Sequence, residues 1–170
     1  MDLSLPHNWT PRDYQLPLWK RLEGGCKRAA AVWHRRAGKD DVCLHWIATA
    51  SQKRIGNYWT MLPLQSQARR AIWQSVNPHT GKRRIDEAFP PEMRVNTRDN
   101  DMSIVFANGS QWQVLGSDSY NSHVGAAPIG IVWSEWALSD PRSWAYLRPI
   151  LLENGGWALF NFTPRGSNHA

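Results

Sequence analysis

Short continuous apolar runs alternate with longer amphipathic stretches along this chain, and no other feature constrains the fold as much. The short runs suit buried strands, and the stretches with apolar residues three and four apart suit helices laid on a sheet. The pattern predicts a helix over residues 11–22, capped by Thr10, in which Pro11 suits the first turn and Pro17 is awkward inside it. A strand over 28–33, a helix over 38–50, a strand over 57–62 and a helix over 65–76 follow as right-handed βαβ units, with Ala68, Ala71, Ile72 and Val76 recurring at helical spacing. Residues 77–100 are polar and proline-containing and show no period. Strands over 103–107 and 111–115 flank Asn108-Gly109, a dipeptide that favours a tight hairpin turn because both residues tolerate positive φ. A strand over 129–134, a helix over 141–152 and a strand over 157–162 complete an α/β architecture. At 170 residues with 42% hydrophobic content, the chain is sized for a single domain with its own core.

No stretch reaches the ~18 consecutive apolar residues of a membrane helix, and the N-terminus lacks the basic start and apolar core of a signal peptide. The chain therefore reads as neither membrane-embedded nor secreted. Its two cysteines, Cys26 and Cys43, have no metal-ligand spacing, which fits buried thiols in a reducing cytosol. Twenty Lys and Arg against fourteen Asp and Glu give a net charge of +6, which argues for a polyanionic partner. Between Lys53 and Arg84 lie seven basic residues and no acid, ending in Lys82, Arg83 and Arg84. That run is either a solvated face or a surface that touches a nucleic-acid backbone. The eleven tryptophans include Trp33, Trp59, Trp133 and Trp157 inside expected strands, where core filling suits them better than base stacking.

The strand over 28–33 runs directly into His34-Arg35-Arg36-Ala37-Gly38-Lys39-Asp40-Asp41 and then a helix. This is the layout of a phosphate-binding loop, where backbone N–H groups and a helix N-terminus cradle phosphates and a lysine reaches the β and γ oxygens. Gly38 and Lys39 match the usual pattern, whereas Trp33 stands at the first glycine and Asp40 at the Ser/Thr position. Taken alone, the stretch is either such a loop or a basic βα turn. The apolar run 129–133 ends in Ser134-Glu135, as a buried strand does when it delivers polar groups to the tip of a parallel sheet. Glu135 there can orient or deprotonate an attacking water.

In this order the motifs resemble the N-terminal ATPase domain of the large terminase subunit, the DNA-packaging motor of tailed phages, over nearly the whole chain. Pro11-Arg12-Asp13-Tyr14-Gln15 resembles the family's adenine-recognition segment, which implies that Gln15 reads the adenine edge and Tyr14 stacks. Arg35-Arg36-Ala37-Gly38-Lys39 is similar to its deviant phosphate loop, with Arg35 at the position of an arginine finger acting within the subunit. Met61-Leu62-Pro63 with Gln65, Gln67 and Ala68 resembles the next helicase-type motif. Ser134-Glu135 resembles the second Walker motif, and Phe162-Thr163-Pro164-Arg165-Gly166 the motif that couples hydrolysis to movement through Thr163 and Pro164.

The resemblance implies a RecA-like, additional-strand P-loop ATPase with a mainly parallel sheet, helices on both faces and an inserted β-hairpin. It implies ATP held by Tyr14, Gln15 and the loop residues Arg36, Ala37, Gly38, Lys39, Asp40 and Asp41, with Glu135 and Arg35 catalytic. Ser134 replaces the family's Asp and Asp40 its Ser/Thr, so the carboxylate and hydroxyl that serve Mg²⁺ are exchanged between two strands expected to lie side by side. The implied partners are double-stranded DNA, contacted by Lys82, Arg83 and Arg84, the portal and the small terminase subunit. The expected setting is a homo-oligomeric ring in the cytoplasm of the infected bacterial host. Residues 1–170 are expected to be one ATPase domain without the family's C-terminal nuclease domain, hence without nuclease activity. Two alternatives stay open: a superfamily 2 helicase-like ATPase, although Ser134-Glu135-Trp136-Ala137 lacks that group's histidine, and a non-hydrolysing nucleotide- or DNA-binding assembly module.

Overall fold

The computed structural model describes residues 9–123 and 125–170, and within them seven strands form one sheet. In chain order these are β1 (Arg28–Val32), β2 (Asn57–Leu62), β3 (Arg94–Arg98), β4 (Ser103–Phe106), β5 (Gln111–Gly116), β6 (Pro128–Ser134) and β7 (Trp157–Phe162). Their spatial order is β1-β7-β6-β2-β5-β4-β3. The strands from β1 to β5 along that order pair in parallel, and β4 and β3 extend the sheet antiparallel.

The central strands are apolar throughout because both faces of the sheet are covered. Every residue of β6 is buried, as is all of β2 after Asn57. Tyr58, Leu62 and Val132 pack on one face with α1 (Leu16–Glu23), α2 (Lys39–Lys53) and α4 (Arg84–Ala88). Trp59, Met61, Ile131 and Trp133 pack on the other with Leu147 and Leu151 of α5 (Pro141–Glu153). The tryptophans of the strands are thus core filler, Trp59 and Trp133 fully and Trp33 and Trp157 in part. Gly130 makes the packing possible: a Cβ there would lie 2.5 Å from the Trp157 ring and 2.7 Å from Tyr58.

Four expectations change. The first helix begins at Leu16 after Gln15, so Thr10 is not its cap and Pro17 sits in the first turn, where its missing N–H costs nothing. The helix over 65–76 is shorter and mixed, with α3 (Gln65–Ala68) followed by a π-helical turn, Arg69–Trp73, that buries Ile72 and Trp73. The unassigned 77–100 region contains α4 and the polar edge strand β3, so the insertion is a three-stranded antiparallel meander rather than a lone hairpin. Finally, β7 lies between β1 and β6, so the loop strand and the Glu135 strand are not neighbours.

Candidate active site

The C-terminal ends of β1, β7 and β6 lie side by side, and each continues into polar residues at one edge of the sheet. After β1 the loop turns twice through left-handed conformations, at Arg36 (φ 63°) and at Gly38 (φ 69°), which caps α2. Only glycine fits the second position easily, since a Cβ would also press on Gln15 Nε2 at 3.2 Å. The loop is pinned from the α1 side: Tyr14 Oη and Gln15 Nε2 both donate to the Ala37 carbonyl at 2.8 Å. Gln15 Oε1 accepts the Arg12 N–H at 3.0 Å, and Gln15 is 2% exposed. The structure thus engages both ends of the Gln15 amide in shaping the loop, whereas Tyr14 stays 44% exposed.

Lys39 opens α2, with its ammonium drawn back into the sheet edge. Its Nζ donates to Thr163 Oγ1 at 2.9 Å and to the His34 carbonyl at 3.2 Å, and the residue is only 8% exposed. Thr163 follows β7 directly, with Pro164 exposed behind it. Asp40 turns its carboxylate inward: Ser134 Oγ donates to its Oδ1 at 2.6 Å and Asn161 Nδ2 at 3.3 Å. Ser134 and Asn161 are register partners on β6 and β7, so the intervening strand completes the contact between the two exchanged groups. Burial holds the Asp40 carboxyl above the usual carboxylate range, although the Ser134 and Asn161 hydrogen bonds oppose the shift. Asn161 also donates to Cys43 Sγ at 3.2 Å, while its own Oδ1 is buried without a partner. Burial pushes the Cys43 thiol far up, so it is an inert core group. Asn161 escapes the sequence reading, yet it leaves a trace as the one polar residue in the run Trp157-Ala158-Leu159-Phe160-Asn161-Phe162.

Glu135 follows Ser134 with φ 55° and ψ 44°, a left-handed conformation that costs a non-glycine residue about 1–2 kcal/mol. It faces the same cavity as the loop. That cavity measures about 780 Å³, within the range of small-molecule sites, and is lined by Arg12, Arg35, Arg36, Lys39 and Arg84 with Asp40, Asp41 and Glu135. Ala71, Ser75, Asn77, Pro78 and His79 also line it.

The basic run that ends at Arg84 is acid-free in sequence but not in space. Arg84, expected at a DNA contact, pairs with Asp41 in the first turn of α2 and lines the cavity. Arg83 is also engaged, pairing with Asp86 at 2.9 Å and Asp99 at 3.5 Å. Burial pushes Asp86 upward, but hydrogen bonds from Arg83 and Arg94 hold it below the usual range. Lys82 alone of the three is exposed and has no ion pair among the described residues.

A mainly parallel sheet whose strand ends present a glycine-lysine loop at a helix N-terminus defines the α/β P-loop class. Within that class the chain has the fold of the phage large-terminase ATPase domain. A variant of that domain from Thermus phage P74-26 superposes with a TM-score of 0.73 at 21% identity, over 95% of this chain and 68% of that one. The large terminase of a second, thermophilic bacteriophage gives 0.71 at 16% identity, over 93% of this chain and 40% of the other. A further structure of that second terminase, in complex with ADP, gives 0.63 at 17% identity, over 90% and 38%. No protein-family model matches the chain, and no curated protein matches it by sequence. Among the described residues no helix is long and apolar enough to cross a membrane.

Proposed function

We propose that this chain is an ATP-hydrolysing motor domain that drives double-stranded DNA into a viral procapsid. The observation that carries the reading is that Lys39, opening α2 after the loop from β1, and Glu135, just after β6, line one cation-rich cavity in a sheet with the terminase ATPase topology. Lys39 and the N–H groups opening α2 bind the phosphates, and Tyr14 offers a ring for the base. Arg35, exposed on the cavity wall, neutralises charge on the transferring phosphoryl, and Glu135 orients the attacking water.

Magnesium fits the donor set present. Asp40, Ser134 and the unpartnered Asn161 Oδ1 are all oxygen donors, as a hard cation prefers. No cluster of three His, Cys, Asp or Glu able to hold a metal occurs among the described residues, so phosphate oxygens and water would complete the shell. Held by Asp40, Ser134 and Asn161, Mg²⁺ would supply charge neutralisation to the phosphates. Thr163 gives the site its link to movement: phosphate competes for the Lys39 ammonium and frees the threonine hydroxyl just after β7. The wider setting that follows is a homo-oligomeric ring in the bacterial host cytoplasm, working on DNA with a portal and a small terminase subunit.

The test is phosphate release from Mg-ATP at high protein concentration with double-stranded DNA. Glu135→Gln should lose turnover by about 10²–10⁴ while keeping ATP binding. Arg35→Ala should lower turnover more than binding, and Lys39→Ala should weaken both. A second reading, a nucleotide-binding assembly module that does not hydrolyse, is favoured by the engagement of Asp40 with Ser134. ATP binding without phosphate release would select it and refute the motor.

A further inference from the structure

We propose that Arg84 is a phosphate-binding residue of this cavity, delivered from a second element and paired with Asp41 when no phosphate is bound. The inference rests on the reading of the cavity as a nucleotide site and adds to it a ligand from a second element.

The backbone fixes where Arg84 begins. Its N–H donates to the Ser75 carbonyl at 2.8 Å, the Asn77 N–H donates to the Lys82 carbonyl at 2.8 Å, and Val76 and Arg83 form a bridge. Residues 75–84 are therefore a closed turn that ends at the first residue of α4. Ile85 and Ala88 of α4 are buried in the same core as Val42 and Cys43 of α2, which holds the two helices together. From this anchored start the guanidinium reaches Asp41 Oδ2 through Nη1. Its other N–H donors have no partner among the described residues, and the side chain keeps 28% of its surface exposed where the cavity wall runs.

Charge argues against a merely structural pair. The pair stays partly open to solvent, which screens it and keeps its contribution to stability modest. Arg84 nevertheless stands in a cavity that already holds Arg12, Arg35, Arg36 and Lys39. With Arg84 the lining carries five cations, an excess that its three carboxylates, Asp40, Asp41 and Glu135, do not offset. An oligophosphate does, and the planar guanidinium fork matches two phosphate oxygens at once. Asp41 is the resting counter-ion of the fork, which phosphate displaces, so it competes with the ligand for the guanidinium.

Calorimetric titration of the chain with inorganic tripolyphosphate, alongside phosphate release from Mg-ATP, tests this. Arg84→Gln should weaken tripolyphosphate binding at least about tenfold, equivalent to about 1.4 kcal/mol. Arg84→Lys, which keeps the charge without the fork and guards against a folding defect, should fall between that variant and the parent. Asp41→Asn alone, which removes the competing anion, should bind more tightly than the parent, and Asp41→Asn with Arg84→Gln should stay as weak as Arg84→Gln. Recovery of parental affinity in the double variant would show that Arg84 only screens Asp41 and would overturn the proposal. So would parental affinity in Arg84→Gln. Because tripolyphosphate carries no adenine, Arg84-dependent binding without ATP turnover would sink the ATPase reading and leave this one standing. Normal turnover with Arg84 variants that bind as the parent does would do the reverse.

Discussion

Exchanging Asp40 and Ser134 tests whether the two residues form a single unit. Ser134 is fully buried and its hydroxyl sits 2.6 Å from Asp40 Oδ1. In Ser134→Asp a second carboxylate faces the first across that contact. With about 4 Å between charge centres and an effective dielectric near 20, the repulsion is about 4 kcal/mol. The lost charge-assisted hydrogen bond adds about 1.5–3 kcal/mol, against a total stability of about 5–15 kcal/mol for a typical domain. Asp40→Ser removes the acceptor shared by Ser134 and Asn161 and should cost about 1–3 kcal/mol. The double exchange restores one carboxylate and one hydroxyl, so it should be more stable than the sum of the single losses by about 3 kcal/mol. Urea unfolding at neutral pH, followed through the fluorescence of the eleven tryptophans, measures all four proteins without nucleotide. Acid supplies an internal control. Burial raises the Asp40 carboxyl, so the native state holds that proton at pH values where the unfolded chain has released it. The contribution of Asp40 to stability is therefore greatest in acid and declines as pH rises from the ordinary carboxylate value through the raised one. The Ser134→Asp deficit should shrink over the same window as pH falls, because the pair takes up a proton. Single losses that add within about 0.5 kcal/mol would refute the exchange.

Three further outcomes are expected. Thr163→Val removes the hydroxyl that Lys39 holds at 2.9 Å, so phosphate-release assays with and without double-stranded DNA should show basal hydrolysis retained and its stimulation by DNA lost. Lys82→Ala should reduce the slope of log affinity for DNA against log salt by about one, whereas Arg83→Ala should leave that slope alone and cost about 0.5–1 kcal/mol in denaturant titrations through its lost pairs with Asp86 and Asp99. Gly130→Ala places a methyl 2.5 Å from the Trp157 ring, and calorimetric melting should show a loss of about 1–3 kcal/mol.

The elements legible in the sequence are those whose signal is local. The apolar runs of β2 and β6 announce themselves because a strand covered on both faces must be apolar at every position, and the loop from Arg35 to Asp41 because its residues are contiguous. The edge strand β3 gives no such sign: Arg94-Val95-Asn96-Thr97-Arg98 is mostly polar, as a strand solvated along one edge can be. Charge misleads where it is counted along the chain, since Asp41, Asp86 and Asp99 lie outside the basic run yet neutralise Arg83 and Arg84 across the fold. The exchange of carboxylate and hydroxyl between Asp40 and Ser134 is visible as two departures from a motif. That they touch depends on β7 entering the sheet between their strands and bringing Asn161 and Thr163 with it. Local periodicity determines which residues form strands and helices, because backbone geometry repeats over a few residues. Strand order, and with it the set of side chains that meet at one sheet edge, is decided by packing among distant segments, such as those of Lys39 and Thr163, 124 residues apart, for which the chain carries no local signal.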